Sequence, residues 1–313
     1  MLLLGACAGK SRANYADAGR SPSTIYFGFS PRDWPTSMNA VDQFEQDAGK
    51  HVAIIDIYED WEDDDPPADV LANIHAHGSA VMITWQPKKY GDSDTPDFPL
   101  ATIAAGDYDA RVTRFARDLA ALGYPVFLRF AHEMNDDGYS WGVGTHGQTA
   151  ADYVAAWRHV HDLFTASGAN NVIWVWSPYV VSAPGIDLAS IFPGDAYVDW
   201  IGIDGYNSAL QVSDWRSFST IFAPAYQALT QLSARPLMIA ETASTEAGDG
   251  GVMKAAWISE MLQAAIPSMP RIRAIFWYNV SEPPRAWPIE SSGAAQSAFA
   301  DGIASPRYRS TYP

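Results

Sequence analysis

Cysteine is nearly absent: the 313 residues hold one, Cys7, so no disulfide can close within the chain. Beyond the first few residues, no stretch approaches the ~20 apolar residues of a membrane-spanning helix. Positive charge is scarce. Twenty Lys and Arg stand against 36 Asp and Glu, a formal net charge of −16, which argues against a polyanionic partner, so no nucleic acid is expected. No G-x-G-x-x-G turn follows the first apolar run, so a dinucleotide site is not expected. Metal signals are weak as well. The acidic run "EDWEDDDPPAD" (59–69) lacks calcium-loop spacing and reads as a solvated loop, and "HAH" (75–77) reads as surface histidines without a third ligand. No cofactor and no metal are expected.

Aromatic residues are plentiful: 12 Trp, 15 Tyr and 13 Phe, more than a core of this size requires. Indoles are costly to hide and useful as platforms for flat apolar faces. A neutral polysaccharide fits both the aromatic excess and the acidity. At the start, "MLLLGACAGK" places Leu4-Gly5-Ala6 before Cys7, which resembles a bacterial lipobox although the apolar run is short and no positive charge precedes it. Residues 1–22 are therefore expected to be a signal remnant and tether, with 23–313 as one catalytic domain. The expected location is periplasmic or extracellular, with membrane attachment through a lipidated Cys7, and a monomer is expected.

Eight short apolar runs recur along that domain: 24–30, 52–58, 80–86, 125–133, 171–177, 199–206, 236–243 and 273–280. Amphipathic stretches alternate with them. "YDARVTRFARDLAALG" (108–123) puts Val112, Phe115, Leu119 and Leu122 on one stripe and stops at Gly123. Further helices are expected near 37–48, 67–77, 150–168, 214–233, 251–266 and 292–302. Runs that are apolar on both faces imply strands covered on both sides, hence a parallel sheet. Eight such units in one chain predict an α/β fold, a single (β/α)₈ TIM barrel, with an open doubly wound sheet as the alternative.

In such a barrel the active site lies where strands end and βα loops begin. The polar groups hold that address: His132 and Glu133 end the fourth run, Asp204 and Tyr206 lie in the sixth, Glu241 in the seventh. Trp85, Trp176 and Trp277 are placed near the same rim. Trp174 and Trp176, two positions apart, share a face and serve either as packing or as a sugar platform. Glu133 and Glu241 are expected to face each other across the barrel mouth. Two carboxylates flanking a sugar bond are the machinery of glycoside hydrolysis, one as proton donor and one as anion. Arg129 is placed to hold the anionic partner or to pair with a core carboxylate such as Asp204.

"RFAHEMN" (129–135) resembles the signature of glycoside hydrolase family 26, and "WVWSP" (174–178), "YVDWIGIDGYN" (197–207) and "PLMIAETAS" (236–244) follow in that family's order. The resemblance implies a retaining mechanism, with Glu133 as acid/base and Glu241 as nucleophile, their carboxyl groups about 5–5.5 Å apart. It also implies supporting or substrate-binding roles for Arg129, His132, Asn135, Tyr139, Trp141, Asp204 and Tyr206. The family's mannanases carry a tryptophan five residues after the acid/base; Gly138 stands there, and Asp136 replaces a usual glycine. The implied activity is endo-β-glycanase, on β-1,4-mannan first. Mixed-linkage β-1,3-1,4-glucan, β-1,3-xylan and a bacterial exopolysaccharide are the alternatives. The competing class is a non-catalytic carbohydrate-binding barrel.

Overall fold

β1 (Ile25–Ser30) opens a sheet whose strands all run parallel and follow one another in chain order: β2 (Ile54–Asp60), β3 (Ala80–Gln86), β4 (Val126–Phe130), β5 (Val172–Trp176), β6 (Trp200–Asn207), β7 (Leu237–Ser244) and β8 (Ile272–Tyr278). β8 pairs back onto β1 over five residues, from Tyr26↔Ala274 to Ser30↔Tyr278, so the sheet closes into an eight-stranded barrel. The computed structural model describes residues 24–31, 34–62, 65–90 and 96–313. The tether expected at 1–22 and the lipobox residue Cys7 lie outside the described residues.

Helices cover the barrel between strands: α1 (Asn39–Ala48), α2 (Ala68–His77), α3 (Leu100–Ala105), α4 (Asp109–Leu122), α5 (Ala150–Ala166), α6 (Leu188–Ile191), α7 (Phe218–Leu232), α8 (Val252–Glu260, prolonged to Ser268) and α9 (Gly293–Ile303). α4 turns Val112, Phe115 and Leu119 inward and stops at Gly123 with φ +70°, a left-handed position that suits glycine. α5 begins with a reciprocal cap: Thr149 accepts from the Asp152 N–H, and Asp152 accepts from that of Thr149. Such a cap contributes about 1 kcal/mol. A short hairpin, β9 (Ser281–Glu282) and β10 (Arg285–Ala286), follows β8, and β11 (Tyr308–Arg309) pairs with β1.

Alternation along the strands sorts side chains into two layers. Ile54, Met82, Phe127, Ile173, Trp200 and Phe276 fill the lower barrel interior. Their neighbours Ile55, Ile83, Leu128, Trp174 and Ile275 pack outward against the helices. Two to four residues further along the strands, the interior turns polar: Ser30, Asp56, Thr84, Arg129, Ser177 and Asp204 are all fully buried. Gly202 makes room for this layer, since a Cβ there would stand 2.2 Å from Ser177 Oγ.

Two expectations are corrected here. β4 ends at Phe130 rather than running to 133, because Ala131 and Glu133 adopt φ of +42° and +50°. The segment 59–69 is not wholly a solvated loop: Glu59 and Trp61 are fully buried, and Trp61 packs against Trp85 and Phe130.

Candidate active site

A cleft of about 290 Å³ opens at the carboxyl ends of the strands, lined by Glu133, Tyr139, Tyr179, Tyr206, Ser208, Glu241, Tyr278, Glu282, Arg285 and Trp287. The two carboxylates singled out by the sequence therefore share one cavity. Each arrives by a departure from regular strand geometry. Glu133 sits on a turn in the left-handed region, its N–H donating to Ser177 O at 2.7 Å. A non-glycine residue in that region is held by its surroundings at a cost of order 1–3 kcal/mol. Glu241 depends on a bulge. Ile203 pairs with Ile239, but Asp204 pairs with Glu241, so β7 carries one extra residue. Met238 and Ala240 face the interior, and strict alternation would aim Glu241 at the helices; the bulge turns it inward beside Asp204.

The surroundings of the two carboxylates are opposite in kind. The Glu241 carboxylate receives Arg129 Nη2 at 2.7 Å and hydrogen bonds from the hydroxyls of Tyr58 and Tyr206. These donors brace a negative charge. Glu133 is 5% exposed and pairs with no cation among the described residues. Burial pushes its carboxyl well above the ordinary range, and the charges of Asp204 and Glu241 push the same way. One group is kept as an acid and the other is furnished with donors.

Beneath them Arg129 is the hub. Its guanidinium also pairs with Asp204 at 2.9 Å and Asp56 at 3.4 Å, and Nε donates to Thr84 at 2.8 Å. Asp204 further accepts from Ser177 at 2.7 Å, and Asp56 accepts from Thr84 and Ser30. One cation among four buried carboxyl groups leaves protons behind. Burial raises Asp56 to about 7 and Asp204 to about 8, against the pull of Arg129. The imidazole of His132, 1% exposed, is driven well below its usual range by burial, by Arg129 and by Lys88, and so is neutral at pH 7.

The other sequence-derived residues divide. Tyr139 lines the cleft, stacks on Trp141 at 4.5 Å and lies 5.0 Å from the His132 ring. Trp141 is fully buried and donates its indole N–H to His132 O at 2.7 Å, so it supports the site from behind. Asn135 is a strut: its amide bonds both the N–H and the carbonyl of Tyr179, a cleft residue. Trp85, Trp176 and Trp277 are not sugar platforms. Each is at most 1% exposed because its strand position faces the helix layer: Trp85 stacks on Phe115, Trp176 meets Phe192, and Trp277 meets Phe299. Trp277 acts at one remove, its indole donating to the carbonyl of Trp287, which does line the cleft.

Sequence reading missed Asp56, Tyr58, Tyr179 and the 281–287 hairpin. For the first two a signal existed: in "VAIIDIY" the polar groups at 56 and 58 share one face of an otherwise apolar strand. The hairpin residues had none, since loops of that length carry no register.

Comparison with known proteins gives the family and the fold. The family model described as Glycosyl hydrolase family 26 matches residues 72–245. Endoglucanase H of Acetivibrio thermocellus is 36% identical over 277 residues, covering 85% of this chain and 29% of that protein's length. A mannan endo-1,4-beta-mannosidase of Caldalkalibacillus mannanilyticus is 37% identical over 90 residues, covering 27% of this chain and 17% of that protein. The structure of a β-mannanase from Bacteroides ovatus, BoMan26A, superposes with a TM-score of 0.67 at 18% identity, covering 95% of this chain and 93% of that one, a likeness of fold. Over the matched region and over most of its length, the chain belongs to glycosyl hydrolase family 26.

Proposed function

We propose that the protein is a retaining endo-β-glycanase that cleaves a neutral β-linked polysaccharide. The observation that carries this reading is the pair of opposed environments in one cleft, a buried acid at Glu133 and a donor-braced carboxylate at Glu241. Glu133 gives its proton to the departing glycosidic oxygen while Glu241 attacks the anomeric carbon and forms a glycosyl ester. Glu133, now a base, takes a proton from water, which attacks the same carbon and releases Glu241. Arg129, Tyr58 and Tyr206 hold Glu241 in line for the attack. Neutral His132 packs against Tyr139 and Tyr58 and adds no charge to the sugar-binding wall.

A β-linked glucan is the first polymer in this reading. Endoglucanase H aligns over 85% of the chain, whereas the mannosidase alignment covers 27%. Gly138, exposed where family mannanases carry tryptophan, points the same way. β-1,4-Mannan, the polymer the sequence motifs put first, is the second reading. Export and lipid attachment through Cys7 belong to the same proposal, and metabolic labelling with a radioactive fatty acid, compared with Cys7→Ser, tests them. Reducing-end release from β-glucan, β-mannan and β-1,3-xylan, with Glu133→Ala and Glu241→Ala alongside, tests the activity. Turnover absent in both variants and a β-configured first product support the retaining mechanism. Activity undiminished in either variant, or an α-configured product, overturns it.

A further inference from the structure

On the barrel face opposite the cleft, three elements converge: the end of α1 with Glu45, the link into β2 with His51, and the last residue of α2, His77. Each offers one ligand atom, and the three atoms lie within 4.8 Å of one another. His51 Nδ1 is 2.8 Å from Glu45 Oε1, and His77 Nε2 is 3.6 Å from Glu45 Oε2 and 3.5 Å from Asp42 Oδ1. The two imidazole rings are 4.7 Å apart. Ligand atoms around a tetrahedral zinc stand roughly 3.3 Å from one another, given bonds of about 2.0–2.2 Å. The spacings of this cluster bracket that value.

The neighbours orient the ligands. Ser79 donates its hydroxyl to Val52 O at 2.7 Å, so its oxygen is left to accept from His77 Nδ1 at 3.1 Å. That places a ring hydrogen on Nδ1 and turns Nε2 toward two carboxylates. A divalent cation bound at Nε2 would meet both carboxylates from one point. Glu45 is fixed in turn by the Val52 N–H, which donates to Oε1 at 2.8 Å. A histidine whose far nitrogen is held by a second partner is the usual setting of a metal ligand.

We propose that Glu45, His51 and His77 bind one divalent transition-metal ion of the zinc class, with Asp42 or water completing four-coordination. Imidazole and carboxylate together suit such an ion better than magnesium or calcium. The ion ties α1 and the β2 link to the end of α2. It stabilises the face of the barrel remote from the chemistry and leaves the cleft untouched. The histidine pair at 75–77, read from sequence as surface residues, thus splits: His77 joins His51, while His75 stacks on Tyr124 with ring centroids 3.9 Å apart.

Calorimetric titration of the chelator-stripped full chain with Zn²⁺ tests this. One equivalent should bind, Mg²⁺ should not compete, and the thermal midpoint should rise with Zn²⁺. His51→Ala and His77→Ala should abolish that equivalent, His75→Ala should keep it, and Ser79→Ala should weaken it by roughly 10- to 100-fold. Co²⁺ added to the unmodified chain should give the intense visible bands of a four-coordinate site, a readout that needs no variant to fold. No stoichiometric binding, or binding that survives loss of His51 or His77, overturns the proposal and leaves a protonated His77 paired with Glu45 and Asp42.

Discussion

Replacing Arg129 by methionine keeps most of the side-chain bulk and deletes the charge that three buried carboxylates share. The guanidinium stands 2.7 Å from Glu241, 2.9 Å from Asp204 and 3.4 Å from Asp56, and is fully buried. A unit charge pair at 4 Å is worth about 4 kcal/mol at an effective dielectric of 20. Removing one member of a buried pair costs about 3–5 kcal/mol. Three such contacts do not add to three times that figure, because the stranded carboxyl groups take up protons instead of staying charged. The sign of the pH dependence follows. Folded Asp56 and Asp204 already lie at about 7 and about 8, above the ordinary value of 3.8. Their contribution to stability is therefore present below about pH 4 and lost as pH rises through 7 and 8. Arg129 holds both values down, so without it they lie higher still, the loss continues to higher pH, and the gap between Arg129→Met and the parent chain widens with pH. Urea unfolding followed by tryptophan fluorescence should show a loss of about 3–5 kcal/mol at pH 8 and a smaller one at pH 5. Turnover should fall by roughly 10²- to 10³-fold, as when a preorganised electrostatic group is removed. A loss under about 1 kcal/mol at pH 8, or one identical at both pH values, would refute the reasoning.

Glu133 is held above the usual carboxyl range, so kcat/KM should fall on the alkaline side as that proton is lost, and Glu133→Gln should spare only substrates whose leaving group needs no proton, such as a dinitrophenyl glycoside. Tyr58→Phe and Tyr206→Phe each delete a hydroxyl bonded to Glu241. Either should lower kcat/KM by roughly 10- to 100-fold, the worth of a hydrogen bond to a charged group, with the fold intact by circular dichroism. Lys254 donates to the carbonyls of Ala286, Trp287 and Pro288 at 2.7–3.1 Å, so Lys254→Met should loosen the hairpin carrying Trp287. Kinetics should then show KM rising more than kcat falls, with about 1–3 kcal/mol of stability lost from the orphaned carbonyls.

The strand count and strand order were legible because burial on both faces demands near-continuous apolar runs, and eight of them stand out in the chain. α1, α2, α4, α5, α7, α8 and α9 were legible for a related reason, a one-sided apolar stripe with a stop. The short α3 and α6 carry too few turns to show one. Glu133 announced itself through a polar cluster at a strand end, and Glu241 through its position in the seventh run. What the sequence could not carry was direction. Trp85, Trp176 and Trp277 lie at strand ends, but alternation sends them into the helix layer, and which phase of a doubly buried strand faces the barrel axis is not written in a run that is apolar at every position. Glu241 is the inverse case: alternation sends it outward, and the bulge at Ala240 brings it back. The cluster of Glu45, His51 and His77 joins three separate elements that the parallel pairing of β1, β2 and β3 sets side by side. Local pattern, which depends on each residue's own periodicity and burial, belonged to the sequence. Facing, register and long-range meeting depend on how the strands pair with one another, and those the tertiary structure decided.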